Sequence, residues 1–131
     1  MMATLSETQR ELLDSPNYAV VATLTKDGSP QTSVVWIKRD GDDVLFSTVV
    51  GRAKERHLRN DPRVSITVIN KDNPYQYSEF RGEASLTTEG GAELINELSH
   101  KYLGKDYPGD AGTDNVRVIV RVKVTKTTGN A

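Results

Sequence analysis

The sequence predicts a mainly β fold: a small antiparallel barrel of six strands with two longer helices inserted. Three observations carry this reading. Segments rich in Val and Thr recur at short intervals, as in Tyr18–Leu24, Thr32–Lys38, Val44–Thr48 and Arg63–Ile69. Asp27-Gly28 and Asp40-Gly41-Asp42 join consecutive segments at hairpin length, which suits antiparallel pairing because parallel strands need a longer crossover. Near the end, Val116, Val118, Val120, Val122 and Val124 alternate with Arg117, Ile119, Arg121 and Lys123, the period-two pattern of a half-buried strand.

The elements follow in order. Ser6-Glu7-Thr8-Gln9 has the spacing of a capping box, so a short helix is expected to run to about Asp14 and stop before Pro16. The hairpin Tyr18–Leu24 and Thr32–Lys38 comes next, then Val44–Thr48. A loop through Gly51 leads into a basic helix over about Arg52–Asn60, and Arg63–Ile69 opens after Pro62. Tyr75–Thr88 reads as a longer strand in which Gly82 interrupts the alternation and marks a bulge or sharp bend. Glu89–Leu103 places Leu94, Ile95, Leu98 and Tyr102 at helical spacing, so this helix is expected to pack by one face.

At 131 residues the chain is expected to form a single domain over 1–131 with a core of its own. A net charge of -1 argues against a dedicated nucleic-acid binder, whose domain is normally strongly basic. There are no cysteines, which excludes a disulfide framework and thiolate metal ligation. Without a signal peptide or a bilayer-length apolar run, the chain reads as cytoplasmic, with no membrane partner.

The segment VLFSTVVGRAKERHLRNDPRVSITV, Val44–Val68, carries the most chemical information. A strand ending in the hydroxyls of Ser47 and Thr48 turns at Gly51 into a helix with Arg52 and Lys54 in its first turn. Free N–H groups and the positive end of the helix dipole favour an anion there. A cofactor phosphate fits, but so does an ordinary solvated basic face, and on this segment alone both stay open. Neither G-x-G-x-x-G nor G-x-x-x-x-G-K occurs in the chain.

In the order VATLTKDGSPQTSVVWI, VLFSTVVGRAKERHLRNDPRVSITV, YSEFRGEASL and RVIVRVKVTKTTG, the chain resembles the flavin- and deazaflavin-binding split-barrel family named for pyridoxamine 5'-phosphate oxidase. The similarity runs from about Tyr18 to Gly129 and is nearest to the reductases that use coenzyme F420. The resemblance implies a six-stranded split barrel and a homodimer with the cofactor between the two barrels. It further implies an F420H2-dependent reductase that passes a hydride to a small unsaturated organic acceptor at that interface. An FMN-binding oxidoreductase, or a carrier that binds flavin or F420 without turnover, is the alternative.

Carried over by position, Gln31, Thr32, Ser33, Val34, Val35 and Trp36 match the strand along the ring. Ser47 and Thr48 match the hydroxyl-bearing strand end near the phosphate. Lys54 matches the phosphate-binding lysine, with Arg52 beside it. Ala53 stands where the oxidase branch tends to carry arginine, which weakens an FMN-oxidase assignment. The substrate-binding Arg and His of the true oxidases have no counterpart in RVKVTKTTGNA, which argues against pyridoxal phosphate synthesis.

A flavin-like ring needs a flat, mostly apolar slot, and Val34, Val35 and Trp36 suit one; core or interface packing of Trp36 is the competing reading. Lys38, Arg39, Arg52 and Arg56 are candidates for a basic track under the glutamyl tail of F420, or are scattered surface charges. Tyr75 and Tyr77 are candidates for a substrate pocket reached from a facing subunit, or a cross-strand pair. His57 and His100 are far apart and lack a partnered Ser or Asp pattern, so neither a hydrolase triad nor a metal site is expected.

Overall fold

The computed structural model describes residues 2–131. The chain runs α1 (Glu7–Asp14), β1 (Tyr18–Leu24), β2 (Pro30–Val35), β3 (Ile37–Asp40), β4 (Asp43–Val49), α2 (Ala53–Asn60), β5 (Arg63–Ile69), β6 (Tyr77–Thr87), α3 (Gly91–Leu103) and β7 (Arg117–Gly129). The strands form one antiparallel sheet of seven, in the order β2-β1-β5-β6-β7-β4-β3.

Seven strands replace the expected six because Thr32–Lys38 is divided. Val35 still pairs with Ala19 of β1, whereas Ile37 pairs with Phe46 of β4. Trp36 alone separates the two ladders. Val35 and Ile37 both point into the core, so the inward–outward alternation passes through Trp36 unbroken while the hydrogen-bonding partner changes. A pattern read by side-chain period cannot register that change. Geometrically it joins the two edge strands of the sheet through one residue, so the sheet must curl until its edges nearly meet.

Inside the curl lie Val21, Ile37, Val44, Phe46, Ile66, Val68, Phe80 and the inward valines Val118, Val120, Val122 and Val124, all fully buried. Leu12 and Leu13 of α1 and Leu58 of α2 add to this core. The capping box of α1 forms: Gln9 N–H donates to Ser6 Oγ at 3.1 Å and Ser6 N–H to Gln9 Oε1 at 2.9 Å. Strand β4 is covered on both faces. Val44 and Phe46 face the barrel, while Leu45 faces outward beneath Leu94 and Leu98 of α3, with Trp36 and Ile119 alongside. Among the described residues no helix is long and apolar enough to cross a membrane.

Gly82 stands at the expected irregularity, where the β6–β7 register shifts between Arg81 and Gly82. A Cβ at this position would lie 1.9 Å from the carbonyl oxygen of Lys123. That neighbour is ladder backbone and has little room to retreat. Gly82→Ala is therefore expected to destabilise by about 1–3 kcal/mol, the range of an overpacked interior. Denaturant unfolding measures it, and an unchanged midpoint would mean that the two strands separate freely at the bulge.

Candidate functional site

The joint between β2 and β3 opens onto a cleft of about 260 Å3. Val34, Val35 and Trp36 form one wall; Ile95, Leu98 and Tyr107 form the other; Ser47, Thr48, Arg52 and Lys54 stand at one end. The apolar walls have simple origins. Trp36 leaves the barrel interior by alternation and stacks on Tyr102, with ring centroids 5.6 Å apart and planes 11° from parallel. Tyr107, in the segment after α3, meets Trp36 edge-on at 6.1 Å. Strand β2 is also an edge of the sheet, so it offers backbone groups on the side away from β1.

The polar end is built by β4 and the start of α2. Lys54 Nζ donates to Ser33 Oγ at 3.1 Å, so its ammonium has a neutral partner. Burial lowers its pKa, and the neighbouring charge of Arg52 adds to the effect. Thr48 is 2% exposed, and its Oγ1 has no hydrogen-bond partner within the chain. A buried hydroxyl without a partner carries a desolvation penalty that a bound acceptor would relieve. The Gly51 N–H is already taken by Glu55 Oε1 at 2.9 Å. That bond, together with Arg59, keeps the Glu55 carboxyl below its usual range. Gly51 precedes the N-cap Arg52, and α2 has no side-chain cap, so the N–H groups of its first turn add to these side chains in the anion-binding capacity of this end.

Arg117, the first residue of β7, is 8% exposed at the base of the same end. Its Nε and Nη2 donate to Asp110 at 2.8 and 3.1 Å, its Nη2 to Tyr107 Oη at 2.9 Å, and its Nη1 to Ser47 Oγ at 3.4 Å. Burial opposes the charge of Arg117, but the Asp110 carboxylate outweighs it and the pKa is raised. In turn Arg117 holds the Asp110 carboxyl below the ordinary carboxylate range.

Of the residues read from the sequence, Val34, Val35, Trp36, Ser47, Thr48, Arg52 and Lys54 come together in the cleft, and Ser33 joins them through Lys54. Gln31 and Thr32 lie farther along β2, exposed, opposite Thr23 and Ala22. Ala53 opens α2 without lining the cleft. Lys38 pairs with Glu97 in an adjoining hollow that meets the cleft at Leu98. Arg39 is held by Asp14 at 2.8 and 3.0 Å and by the Gly41 carbonyl, and Arg56 binds the Gly51 carbonyl. Tyr75 and Tyr77 are exposed near the start of β6 and do not reach the cleft within one chain. His57 hydrogen-bonds Thr23, and His100 pairs with Asp106 on the surface.

Sequence reasoning did not single out Ile95, Leu98, Tyr107 or Arg117 as site residues. The first two served as helix-face residues and Arg117 as the polar phase of an alternating strand. No local signal separates Arg117 from Arg121 or Lys123. Among the described residues, no group of three or more His, Cys, Asp or Glu side chains is placed to hold a metal ion.

Fold and site together define a curled antiparallel barrel with an apolar slot that ends in a cluster of cations and hydroxyls. The family model of pyridoxamine 5'-phosphate oxidase matches residues 5–130, and the chain belongs to that family. Among solved structures it is similar to an F420 reductase, with 30% identity, a TM-score of 0.81, and coverage of 95% of this chain and 98% of that one. A conserved hypothetical protein from Mycobacterium tuberculosis shares the fold at 23% identity and TM-score 0.75, over 96% and 84% of the two chains. Over 55 residues the chain is 38% identical to the pyridoxine/pyridoxamine 5'-phosphate oxidase of Citrobacter koseri. That match spans 41% of this chain and only 25% of the oxidase.

The orphaned hydroxyl yields a test independent of any cofactor. Thr48→Val keeps the shape and removes the unpartnered oxygen. The variant is expected to match the parent in thermal stability or to exceed it by up to about 1 kcal/mol. A loss of that size instead would mean that the chain itself satisfies the hydroxyl.

Proposed function

We propose that the cleft holds a phosphate-bearing flavin-type cofactor, with F420 as the first assignment. In this reading the protein is an F420H2-dependent reductase that passes a hydride to a small unsaturated organic acceptor. The observation that carries it is the convergence of Ser47, Thr48, Arg52 and Lys54 on one end of the slot beside Trp36. The residues fit such a group: a partnerless buried hydroxyl, a lysine without a carboxylate partner, flat aromatic walls and an open strand edge. The 30% identity to an F420 reductase across nearly the whole chain supports the choice of cofactor.

When bound, a reduced deazaflavin supplies the hydride. The protein's own contribution is to bind and orient. Lys54 and Arg52 neutralise phosphate charge, and Ser47 and Thr48 donate to its oxygens. Val34, Val35 and Trp36 seat the ring and keep water from one face. Gln31 and Thr32 extend this strand toward the hairpin end. Ala53, with only a methyl group for a side chain, lets the helix start approach closely. Lys38 would serve an acidic tail by exchanging its Glu97 partner.

The reading includes a homodimer. Tyr18, Ile69 and Tyr77 form one row across β1, β5 and β6, and Val34 lies opposite Val20 on β1. Tyr18 is 63% exposed and Val34 70%, so this sheet face carries uncovered apolar surface that continues to the cleft. A second copy on this face would cover it and bring Tyr77, with Tyr75 nearby, toward the opposite site as substrate-pocket residues. Sedimentation at micromolar concentration is expected to give a dimer, and a monomer in the presence of cofactor would remove this part of the reading.

FMN is the second assignment, favoured by the oxidase family to which the chain belongs. Fluorescence titration separates the two. F420 is expected to bind more tightly than FMN, and Lys54→Ala to weaken F420 about ten- to a hundredfold, as loss of a charge-assisted hydrogen bond does. Tighter binding of FMN by the parent would transfer the protein to the flavin branch. Binding without turnover of any acceptor would make it a carrier.

A further inference from the structure

Between α3 and β7, residues 104–116 form a strap with no regular structure and mostly exposed side chains. Gly104 and Gly112 both take positive φ, so the strap turns sharply at two points. Tyr107 is the part of the strap that lines the cleft. What holds it there is polar. Tyr107 N–H donates to Asn96 Oδ1 at 3.0 Å, and Ser99 Oγ donates to the Lys105 carbonyl at 2.6 Å. Asn96 and His100 of α3 also hold Asp106. From the β7 side Arg117 grips Asp110 through two nitrogens and the Tyr107 hydroxyl through one of the same two.

We propose that Arg117 is a positioning residue for the cofactor slot: latched to Asp110, it fixes the Tyr107 ring edge-on against Trp36 and so sets the slot's width. This rests on the reading that the slot takes the cofactor ring. The side chain of Arg117 is 6% exposed and that of Asp110 26%, so the pair is largely shielded from solvent. An arginine this buried is retained only where its charge is matched, and a two-nitrogen grip on a carboxylate adds direction to the attraction. The guanidinium carbon also lies 4.9 Å from the Tyr107 ring centroid, so the ring is held from its side as well as by its hydroxyl. Nη1 makes just one long bond, to Ser47 at 3.4 Å. Through that bond the ring wall and the anion end share a single side chain.

The chain's single tryptophan makes the latch observable without any cofactor. Trp36 emission and its quenching by acrylamide are compared in the parent, Asp110→Asn and Arg117→Lys. Both variants are expected to remain folded by circular dichroism and to show red-shifted, more readily quenched emission, because Tyr107 leaves the Trp36 edge. Lysine is not expected to rescue, since it lacks the planar fork. Cofactor affinity in the same variants is expected to fall by at least about fivefold, the lower end of coupling between linked sites. Affinity for inorganic pyrophosphate, which uses only the anion end, is expected to change less than cofactor affinity. Tyr107→Phe keeps the ring and removes its hydroxyl tie to Arg117, and carries the same test if an Arg117 or Asp110 variant fails to fold. Unchanged Trp36 quenching in a folded Asp110→Asn or Tyr107→Phe protein would overturn the latch. If the parent binds neither F420 nor FMN, the cofactor reading falls, whereas the quenching result still decides whether Arg117 sets the wall.

Discussion

Trp36 is the joint on which the rest of the structure depends. The strand before it belongs to one edge of the sheet and the strand after it to the other. A flat sheet of seven strands separates its edges by roughly six inter-strand spacings of about 4.8 Å, far beyond the reach of one residue. The sheet therefore has to curl. Curling turns the inward side chains of all seven strands toward one another and creates the Val- and Phe-filled interior. It also leaves a seam where the edges approach without pairing, and the cleft opens at that seam.

The seam explains why binding chemistry collects where it does. Edge strands keep unpaired backbone groups, and β4, next to β3, ends close by with Ser47 and Thr48. The α2 helix must start there to place Leu58 in the core, which carries Arg52 and Lys54 to the same spot. Aromatic walls then arise from residues that alternation or helix geometry turns outward: Trp36 from the strand, Tyr102 from α3, Tyr107 from the strap. Tyr102 also donates its hydroxyl to the Asn17 carbonyl at 2.9 Å and accepts from Ile37 N–H at 3.3 Å. The side chain stacked on Trp36 is thus pinned at both sides of the joint.

Much of this was legible in the sequence because it is local. Period-two valines, the Asp27-Gly28 hairpin, the Ser6–Gln9 cap and the Gly82 irregularity depend on neighbours a few residues away. Ser47, Thr48, Arg52 and Lys54 could be grouped because one strand–loop–helix unit carries them all. The division at Trp36 was hidden because it changes a pairing partner and leaves the side-chain period untouched. Arg117 and Tyr107 were hidden for a related reason. Their meeting with Ser47 and Trp36 spans long stretches of chain, and an arginine in the polar phase of a strand looks the same whether it faces water or, itself buried, is paired with an aspartate. The helix start was read as offering free N–H groups, and α2 indeed has no side-chain cap; what the sequence did not show is that Glu55 of its first turn reaches back to the Gly51 N–H in the loop before it.

The position of β7 has a consequence for the order in which the molecule can be made. Of the seven strands it is the last to leave the ribosome, and it lies between β6 and β4 in the sheet. Without it the sheet is two pieces, β2-β1-β5-β6 and β4-β3, connected through the backbone at Trp36. A nascent chain can form the β1–β2, β3–β4 and β5–β6 hairpins locally and join β1 to β5 at long range before β7 is made, but each piece then presents an unpaired edge and an uncovered apolar face. The pairing of Asp43 with Lys123 and of Ser78 with Gly129 closes both gaps in a single late step. Strand edges left open during synthesis are sites of aggregation, and long-range pairing is slow to form. The chain thus remains vulnerable until β7 has been made and paired, and a truncation within β7 would leave that vulnerable state as the final one.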